Sequence, residues 1–294
     1  MRNSRISTST TTALSVARPP EARSITFMTA TEALLRRDRW IVGVGLVVIC
    51  LLSWLYLLSG AGTGMNPAAM TTWQFPLPTH QSTAGTAWDP SYWISMALMW
   101  WIMMIAMMVP SAAPMILLYA RVYRHAQDKG QIDHAAVPTA AFLGGYLSIW
   151  LAFSLAATTL QWSLEQAGLL HAMMMWSTNI VLSASFLIAA GIYQLSPLKS
   201  ACLKQCRSPA EFISRRWRDS RSGAALMGLE HGFYCIGCCW LLMALLFAGG
   251  IMNLVWIAGL AIFVLLEKLW PHGNLFGRIS GLLMIAAGTY LLVA

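Results

Sequence analysis

Seven apolar runs of about membrane length constrain the fold of this chain more than any other feature. A transmembrane helix needs roughly 20 mostly apolar residues to cross the hydrocarbon core of a bilayer. The seven runs cover residues 40–59, 91–118, 138–158, 175–195, 224–248, 251–268 and 276–294. The sequence therefore predicts an all-α transmembrane bundle of about seven spans, or of six if the last run lies in the membrane interface.

The composition is typical of a chain whose surface mostly faces lipid. Only 10% of the residues are charged and 57% are hydrophobic, whereas soluble domains carry about 25% charged residues. The net charge of +8 does not predict nucleic-acid binding, because the basic residues are distributed between the apolar runs rather than gathered in one patch. The partner that this composition predicts is the lipid bilayer.

The basic residues also predict the orientation of the bundle. All 19 Lys and Arg residues precede the first run, follow the second or fourth, or flank the loop after the sixth, and the connections at 60–90 and 159–174 contain none. Lysine and arginine are enriched in the cytoplasmic loops of membrane proteins. The distribution predicts a multi-pass protein of the bacterial cytoplasmic (inner) membrane with a cytoplasmic N-terminus.

The first residues differ in composition from the rest. They are rich in Ser, Thr and Arg and lack the apolar core of a signal peptide. We expect residues 1–36 to form a disordered cytoplasmic tail, or an upstream extension with Met28 as an alternative start, and residues 37–294 to form the transmembrane helical domain.

The fifth run contains the residues most typical of a metal site. At 100° per residue, the side chains of Met227, His231, Cys235 and Cys238 fall within about an 80° arc, and Cys239 lies on the adjoining face. A histidine inside a span is costly and is normally functional. Cysteine is also a common packing residue, so the alternative is a structural role. The clustering favours a metal site over packing alone.

Glycines in the same sequence predict close helix packing. Gly228 and Gly232 form a small-xxx-small pair in the fifth run, and Gly273, Gly277 and Gly281 recur at the same spacing in the last run. Small residues at this spacing let helix backbones approach closely in membranes. These glycines are interpreted as structural.

The second run carries seven of the 18 methionines. Met96, Met99, Met103 and Met107 occupy one narrow helical face, and the remaining three, Met104, Met108 and Met115, lie beside it. Alone, a methionine stripe favours core packing. Opposite a helix that carries Cys and His, it becomes a wall of soft donors, with Met103 and Met107 as candidate ligands.

Two further groups of residues are candidates for moving an ion in or out. Cys202 and Cys206 are one helical turn apart in a basic segment and could form an inner relay, while the nearby Lys and Arg face anionic headgroups. On the opposite side, soft donors that could gather a cation are Met65, Met70, His80, His171, Met173, Met174 and Met175.

The donor types favour copper. Thiolate and thioether ligands select soft ions, Cu(I) above all. Zinc accepts Cys and His and rarely uses Met. Zinc therefore remains an alternative if only Cys235, Cys238, Cys239 and His231 bind the ion.

Several segments resemble a bacterial family of predicted metal-binding integral membrane proteins, domain of unknown function 2182. They are the run GLEHGFYCIGCCWLLM at 228–243, Glu267-Lys268, the segment from Pro197 to Arg207 with its two cysteines, and MMVPSAAP at 107–114. The resemblance covers about residues 90–290. It implies a polytopic helical fold and metal binding, and it implies no established reaction.

The leading hypothesis is a membrane protein for Cu(I) handling, by uptake, transfer or delivery, with a metallochaperone or a membrane complex as partner. The alternatives are a membrane thiol-redox protein and a scaffold subunit without bound metal. No phosphate-binding glycine loop and no Gly-x-Ser-x-Gly or His-Glu-x-x-His motif occurs in the sequence. We therefore predict no catalytic residues and favour a function other than catalysis.

Overall fold

The computed structural model describes residues 22–61, 70–71, 88–130, 137–171 and 175–293. Within these residues there are ten helices and no strand. In chain order they are α1 (Ala22–Leu58), α2 (Pro90–Asp128), α3 (Val137–Gln166), α4 (Ile180–Gln194), α5 (Pro197–Arg207), α6 (Pro209–Arg216), α7 (Arg221–Ala244), α8 (Leu246–Gly249), α9 (Leu254–Leu269) and α10 (Gly273–Val293). The expected all-α class is confirmed.

The chain divides into two compact units, Met1–Asp38 and Arg39–Ala294. The second unit contains α2 to α10, and every candidate donor residue belongs to it. Most of the tail predicted at residues 1–36 lies outside the described residues, and helix α1 begins at Ala22. The disorder of that tail remains a prediction.

Five helical segments are long and apolar enough to cross a membrane: Trp40–Leu58, Pro90–Asp128, Pro138–Gln166, Arg221–Gly249 and Gly273–Val293. A sixth is added if α4 and α5, which meet at a bend of 66°, count as one broken span. The predicted count of seven is not confirmed, because α9 has only 16 residues.

A turn explains why the sixth apolar run yields such a short helix. Gly250 adopts a φ of 100°, a left-handed conformation that favours glycine. Asn253 then caps α9 by accepting a hydrogen bond from the backbone N–H of Val255. Because α9 begins after this cap, the first three residues of the run, 251–253, are not helical.

Similar caps determine where the central helices begin. The backbone N–H of Tyr92 donates to the Asp89 carboxylate over 2.8 Å, and Pro90 follows as the first residue of α2. Ser196 precedes Pro197 in the same way and accepts from the first turn of α5. These local signals place α5 at a sharp angle to α4.

Helices α2 and α7 form the centre of the second unit. In their most apolar windows, 61% and 67% of the residues are buried, against 17% in the windows of α1 and α10. The outer helices expose many large apolar side chains, among them Leu51, Leu55, Leu282 and Leu283. Exposed apolar surface of this extent is suited to contact with lipid tails rather than water.

Glycines bring α3 and α7 into backbone contact. A methyl group added at Gly145 of α3 would overlap the carbonyl oxygen of Ala225 in α7, and one added at Gly228 would overlap that of Phe142. Gly232 lies close to Ile149 in the same interface. The close packing predicted for Gly228 and Gly232 is confirmed, and it holds the cysteine-bearing face of α7 against the other helices.

Two neighbouring glycines give a matched test of this interface. We expect Gly145→Ala to lower the free energy of unfolding by about 1–3 kcal/mol, because the added methyl must push two helix backbones apart. Gly144→Ala should be neutral or stabilising by up to about 1 kcal/mol, since nothing lies within 4 Å of its added methyl. Denaturant unfolding in detergent measures both variants, and equal stabilities would contradict close backbone contact between α3 and α7.

The last helix packs in the same manner. Added methyl groups at Gly281 and Gly288 of α10 would each approach a backbone carbonyl of α4 to 2.9 Å. Gly273 and Gly277 lie directly against Glu267 of α9. The glycine spacing of the last run thus serves close packing, as the sequence predicted.

Candidate metal centre

The donor residues of α7 point into the protein. The side chains of Met227, His231, Cys235, Cys238 and Cys239 are all at least 98% buried. Phe233 and Trp240 occupy the opposite, exposed face of the same helix. The predicted stripe of soft donors is therefore turned toward neighbouring helices and not toward lipid.

A cysteine from a second helix joins this stripe. Helix α5 packs against α7, and the half-buried Cys206 interacts with the thiols of Cys235 and Cys238. Cys239 interacts with the same two residues of α7. We call these four residues, Cys206, Cys235, Cys238 and Cys239, the thiol cluster.

Cys202 lies at the edge of the cluster. Its Sγ atom is 2.7 Å from the position that a Cβ atom would take on Gly237, so the absence of a side chain there makes room for the sulfur. Cys202 also interacts electrostatically with Cys238. The two cysteines of α5 therefore both face α7, with Cys206 the more central.

Two of the thiols on α7 are held by hydrogen bonds to the same backbone carbonyl. The Sγ atoms of Cys238 and Cys239 donate to the carbonyl oxygen of Cys235 over 3.1 and 3.0 Å. Cys239 Sγ also lies 3.9 Å from Met108 Sδ on α2. A thiol of α7 and a thioether of α2 are thus in contact beside the cluster.

Polar groups that the sequence pattern did not reveal complete the site. The Nζ atom of Lys268, from α9, donates to Cys235 Sγ and to Ser111 Oγ, over 3.0 Å in each case. The hydroxyl of Tyr146 lies 3.2 Å from the same Cys235 sulfur. The sequence feature that could have identified Lys268 is a lysine at the end of an apolar run. A lysine at that position is more commonly interpreted as a structural anchor.

His231 lies one helical turn from Cys235, inside a ring of aromatic side chains. Its ring centroid is 5.6 Å from that of Phe212, 5.7 Å from that of Tyr146 and 6.2 Å from that of Phe142. Among the described residues, no hydrogen-bond partner faces its Nδ1 atom. A buried nitrogen without a partner is unusual and leaves a donor atom available to a ligand.

The methionines of α2 are buried as predicted, but their contacts differ in detail. Met103 and Met107 are at least 99% buried, while the sulfur that lies against the thiol cluster is that of Met108. Near the start of α2, the amide of Gln161 approaches Met96 Sδ to 3.9 Å. The methionine of α2 that contacts the thiol cluster is therefore Met108, which lies on the helical face beside that of Met103 and Met107.

The predicted gathering residues are only partly described. Met65, His80, Met173 and Met174 lie outside the described residues. Met70 and Met175 are buried, and His171 is half-buried. Their role in collecting an ion remains a prediction.

One expectation for the basic segment around α5 is wrong. Lys199 does not face lipid headgroups: it is 98% buried, donates to Gln194 and lies 2.7 Å from the carboxylate of Glu267. Arg207 at the end of α5 donates to the backbone carbonyls of Trp270 and Pro271. These basic residues hold α5 against α9 because they find acceptors inside the protein.

Glu230 lies apart from the thiol cluster. Its carboxylate is 2.8 Å from the guanidinium of Arg216 and 3.6 Å from that of Arg218. The hydrogen bond and charge of Glu230 raise the pKa of Arg216 above its ordinary value. Glu230 therefore ties α7 to the connection that precedes it and is not a candidate ligand.

The donor set fits a soft monovalent ion better than a closed zinc site. Within the described part of the chain, no three His, Cys, Asp or Glu residues are arranged together for coordination. A structural zinc site needs four such ligands, whereas a pair of thiolates is enough to hold Cu(I), which prefers soft sulfur donors. The contacts within the thiol cluster supply several such pairs.

Comparison with known proteins supports this chemistry. The family model described as PpoB2, copper chaperone, matches residues 97–291. No curated protein and no solved structure matches the chain. The match confirms a metal-related family, although under a different name from the one that the motifs suggested. Because it covers two thirds of the chain and includes the whole thiol cluster, this protein belongs to the PpoB2 copper chaperone family.

Proposed function

We propose that this protein binds Cu(I) at the thiol cluster, within the membrane, and passes it on to an acceptor. The observation that carries the proposal is the interaction of Cys206 from α5 with Cys235 and Cys238 from α7, which Cys239 of α7 also contacts. Thiols supplied by two separate helices provide the paired soft donors that Cu(I) prefers. Met108 adds a thioether beside them.

The membrane location follows from the apolar helices and the distribution of charge. We propose a multi-pass protein of the cytoplasmic membrane with its N-terminus in the cytoplasm. In this arrangement α4 and α5 form one broken span beside the five helices supported by length and composition, and α9 acts as a seventh, short membrane segment. The one-sided placement of all 19 Lys and Arg residues supports this orientation.

Charge balance also favours a monovalent ion at the cluster. Two thiolates carry a charge of −2, and the ammonium group of Lys268 next to Cys235 offsets one unit of it. A single Cu(I) ion neutralises the remainder. Neutral assemblies are the least costly to bury in a region of low dielectric constant.

The arrangement of donors suggests a route for the ion. The methionines of α2 lead to the contact between Met108 and Cys239, and the cluster leads through Cys206 to Cys202 at its edge. We propose that copper moves along this series of sulfur atoms, with Met227 and His231 as additional donors on α7. A metallochaperone or another membrane protein would exchange the ion at the α5 end.

Metal analysis of the purified protein tests the proposal. We expect the wild-type protein to retain copper, and Cys235→Ser and Cys238→Ser to lose most of it, because a hydroxyl is a much poorer ligand for Cu(I) than a thiolate. Cys50→Ser is the matched control, since Cys50 is a half-buried cysteine of α1 away from the cluster. Unchanged copper in both cluster variants, or zinc in place of copper, would contradict the proposal.

A thiol-redox function is the second candidate, and one observation favours it. Cys206 of α5 interacts with Cys235 and Cys238 of α7, and a reversible disulfide between two helices needs one thiol from each helix. Trapping of thiols in intact cells distinguishes the two functions. A disulfide that links α5 to α7 and forms reversibly during growth would favour redox chemistry, and persistently reduced cysteines would favour copper binding.

A further inference from the structure

Lys268 is a buried ammonium group with an unusual set of partners. It is 95% buried, and its hydrogen bonds go to the Cys235 thiol and the Ser111 hydroxyl. Among the described residues, no carboxylate forms an ion pair with it, because the adjacent Glu267 pairs with Lys199. A buried charge without a counter-charge is costly, and the nearest groups that can supply negative charge are the thiols of the cluster.

The charge of Lys268 acts on the whole cluster and not on one thiol alone. Its ammonium group interacts electrostatically with Cys235, Cys238, Cys206 and Cys239. Any cation bound between these sulfur atoms therefore lies close to a fixed positive charge. The side chain cannot move away easily, because Ser111 on α2 holds the other side of its Nζ atom.

We propose that Lys268 makes the thiol cluster selective for a monovalent cation over a divalent cation of similar softness. This inference rests on the proposed function. With two thiolates and Lys268, a monovalent ion leaves a net charge of zero, whereas a divalent ion leaves one uncompensated positive charge in the buried interior. Lys268 also repels a divalent ion twice as strongly as a monovalent one.

The expected size of the effect follows from Coulomb's law. At a separation of about 5 Å and an effective dielectric constant of about 20, one extra unit of repelled charge corresponds to roughly a 300-fold change in affinity. Removing Lys268 also makes thiolate formation harder, but that cost applies to both kinds of cation. The ratio of the two affinities therefore isolates the charge effect.

Competition titrations on the purified full chain in detergent test the inference. The probes are Cu(I) and Cd(II), because both bind thiolates and they differ in charge. In Lys268→Met we expect the ratio of Cd(II) affinity to Cu(I) affinity to rise roughly 300-fold. Lys268→Arg keeps the charge and should stay within about threefold of the wild-type ratio. Ser111→Ala removes a hydrogen-bond partner of Lys268 but no charge. Its affinity ratio should also stay within about threefold of the wild-type ratio.

The outcomes separate this inference from the function on which it rests. A wild-type protein that binds no Cu(I) overturns both. If wild-type and Lys268→Met both bind Cu(I) and the ratio is unchanged, the lysine only positions Cys235 and the selectivity claim is wrong. A shift in Lys268→Arg as large as that in Lys268→Met would also overturn it. If Lys268→Met does not fold, Lys268→Gln provides the same comparison with a polar side chain.

Discussion

Replacing Cys206 with serine is expected to lower the affinity for Cu(I) about a hundredfold or more. Loss of a direct soft ligand should cost at least as much as the roughly 10–100-fold typical of changes in the groups around a metal. Cys206 is the only member of the thiol cluster that α7 does not supply. The variant therefore tests whether the site is built by two helices or by one.

Cys202→Ser provides the matched control, because Cys202 lies one turn away on the same face of α5. Its sulfur packs over Gly237 at the edge of the cluster, so we expect a change of no more than about threefold. Affinity is measured by competition with a Cu(I) chelator in detergent. Equal losses in the two variants would indicate that α5 is merely disturbed, and no loss in Cys206→Ser would restrict the site to α7.

Glu267→Gln is expected to lower the free energy of unfolding by about 3–5 kcal/mol. The carboxylate of Glu267 lies 2.7 Å from Lys199 Nζ, and both side chains are at least 97% buried. Neutralising one partner leaves the other charge buried without compensation, which is among the largest effects of a single substitution. Denaturant unfolding of the purified protein in mild detergent provides the measurement.

Two further variants show whether the loss of stability in Glu267→Gln comes from the unpaired charge. The double variant Lys199→Met with Glu267→Leu removes both charges and should recover most of the lost stability, because no unpaired charge remains. Glu211→Gln breaks the exposed pair with Arg215 and should change stability by less than about 1 kcal/mol. If Glu267→Gln has no larger effect than Glu211→Gln, the buried pair does not hold α5 against α9.

We expect stability and copper binding to be connected through the Lys199–Glu267 pair. Glu267 and Lys268 are consecutive residues of α9, and they pair in different directions, with α5 and with the thiol cluster. Fixing Glu267 against Lys199 also fixes the backbone that carries Lys268. Moderate loss of copper in Glu267→Gln, without a change in the Cd(II) to Cu(I) ratio, would be consistent with this indirect role.

The sequence predicted the helical class and the donor face of α7 because both depend on local periodicity. Apolar runs of membrane length can satisfy their backbone hydrogen bonds within a helix. Donors at intervals of three and four residues lie on one face of that helix. The buried Cys235 and His231 were therefore identifiable from spacing alone, as was the close packing at Gly228.

Periodicity could not identify the partners of that face. It does not specify how far one helix is rotated against another, and so it favoured Met103 and Met107 where the contact with Cys239 is made by Met108. The basic sequence around Lys199 likewise predicted a residue at the lipid surface, whereas Lys199 is buried. Contacts of this kind depend on which ridges and glycines of two helices meet.

The sequence by itself determined that this chain forms apolar helices and that α7 carries thiol and imidazole groups on one side, since each of these properties belongs to a single segment. Only the tertiary structure decided that Cys206 joins those groups and that Lys268 places a positive charge beside them. These residues lie 29 and 33 positions away from Cys235, and their approach depends on the packing of three helices around one buried volume.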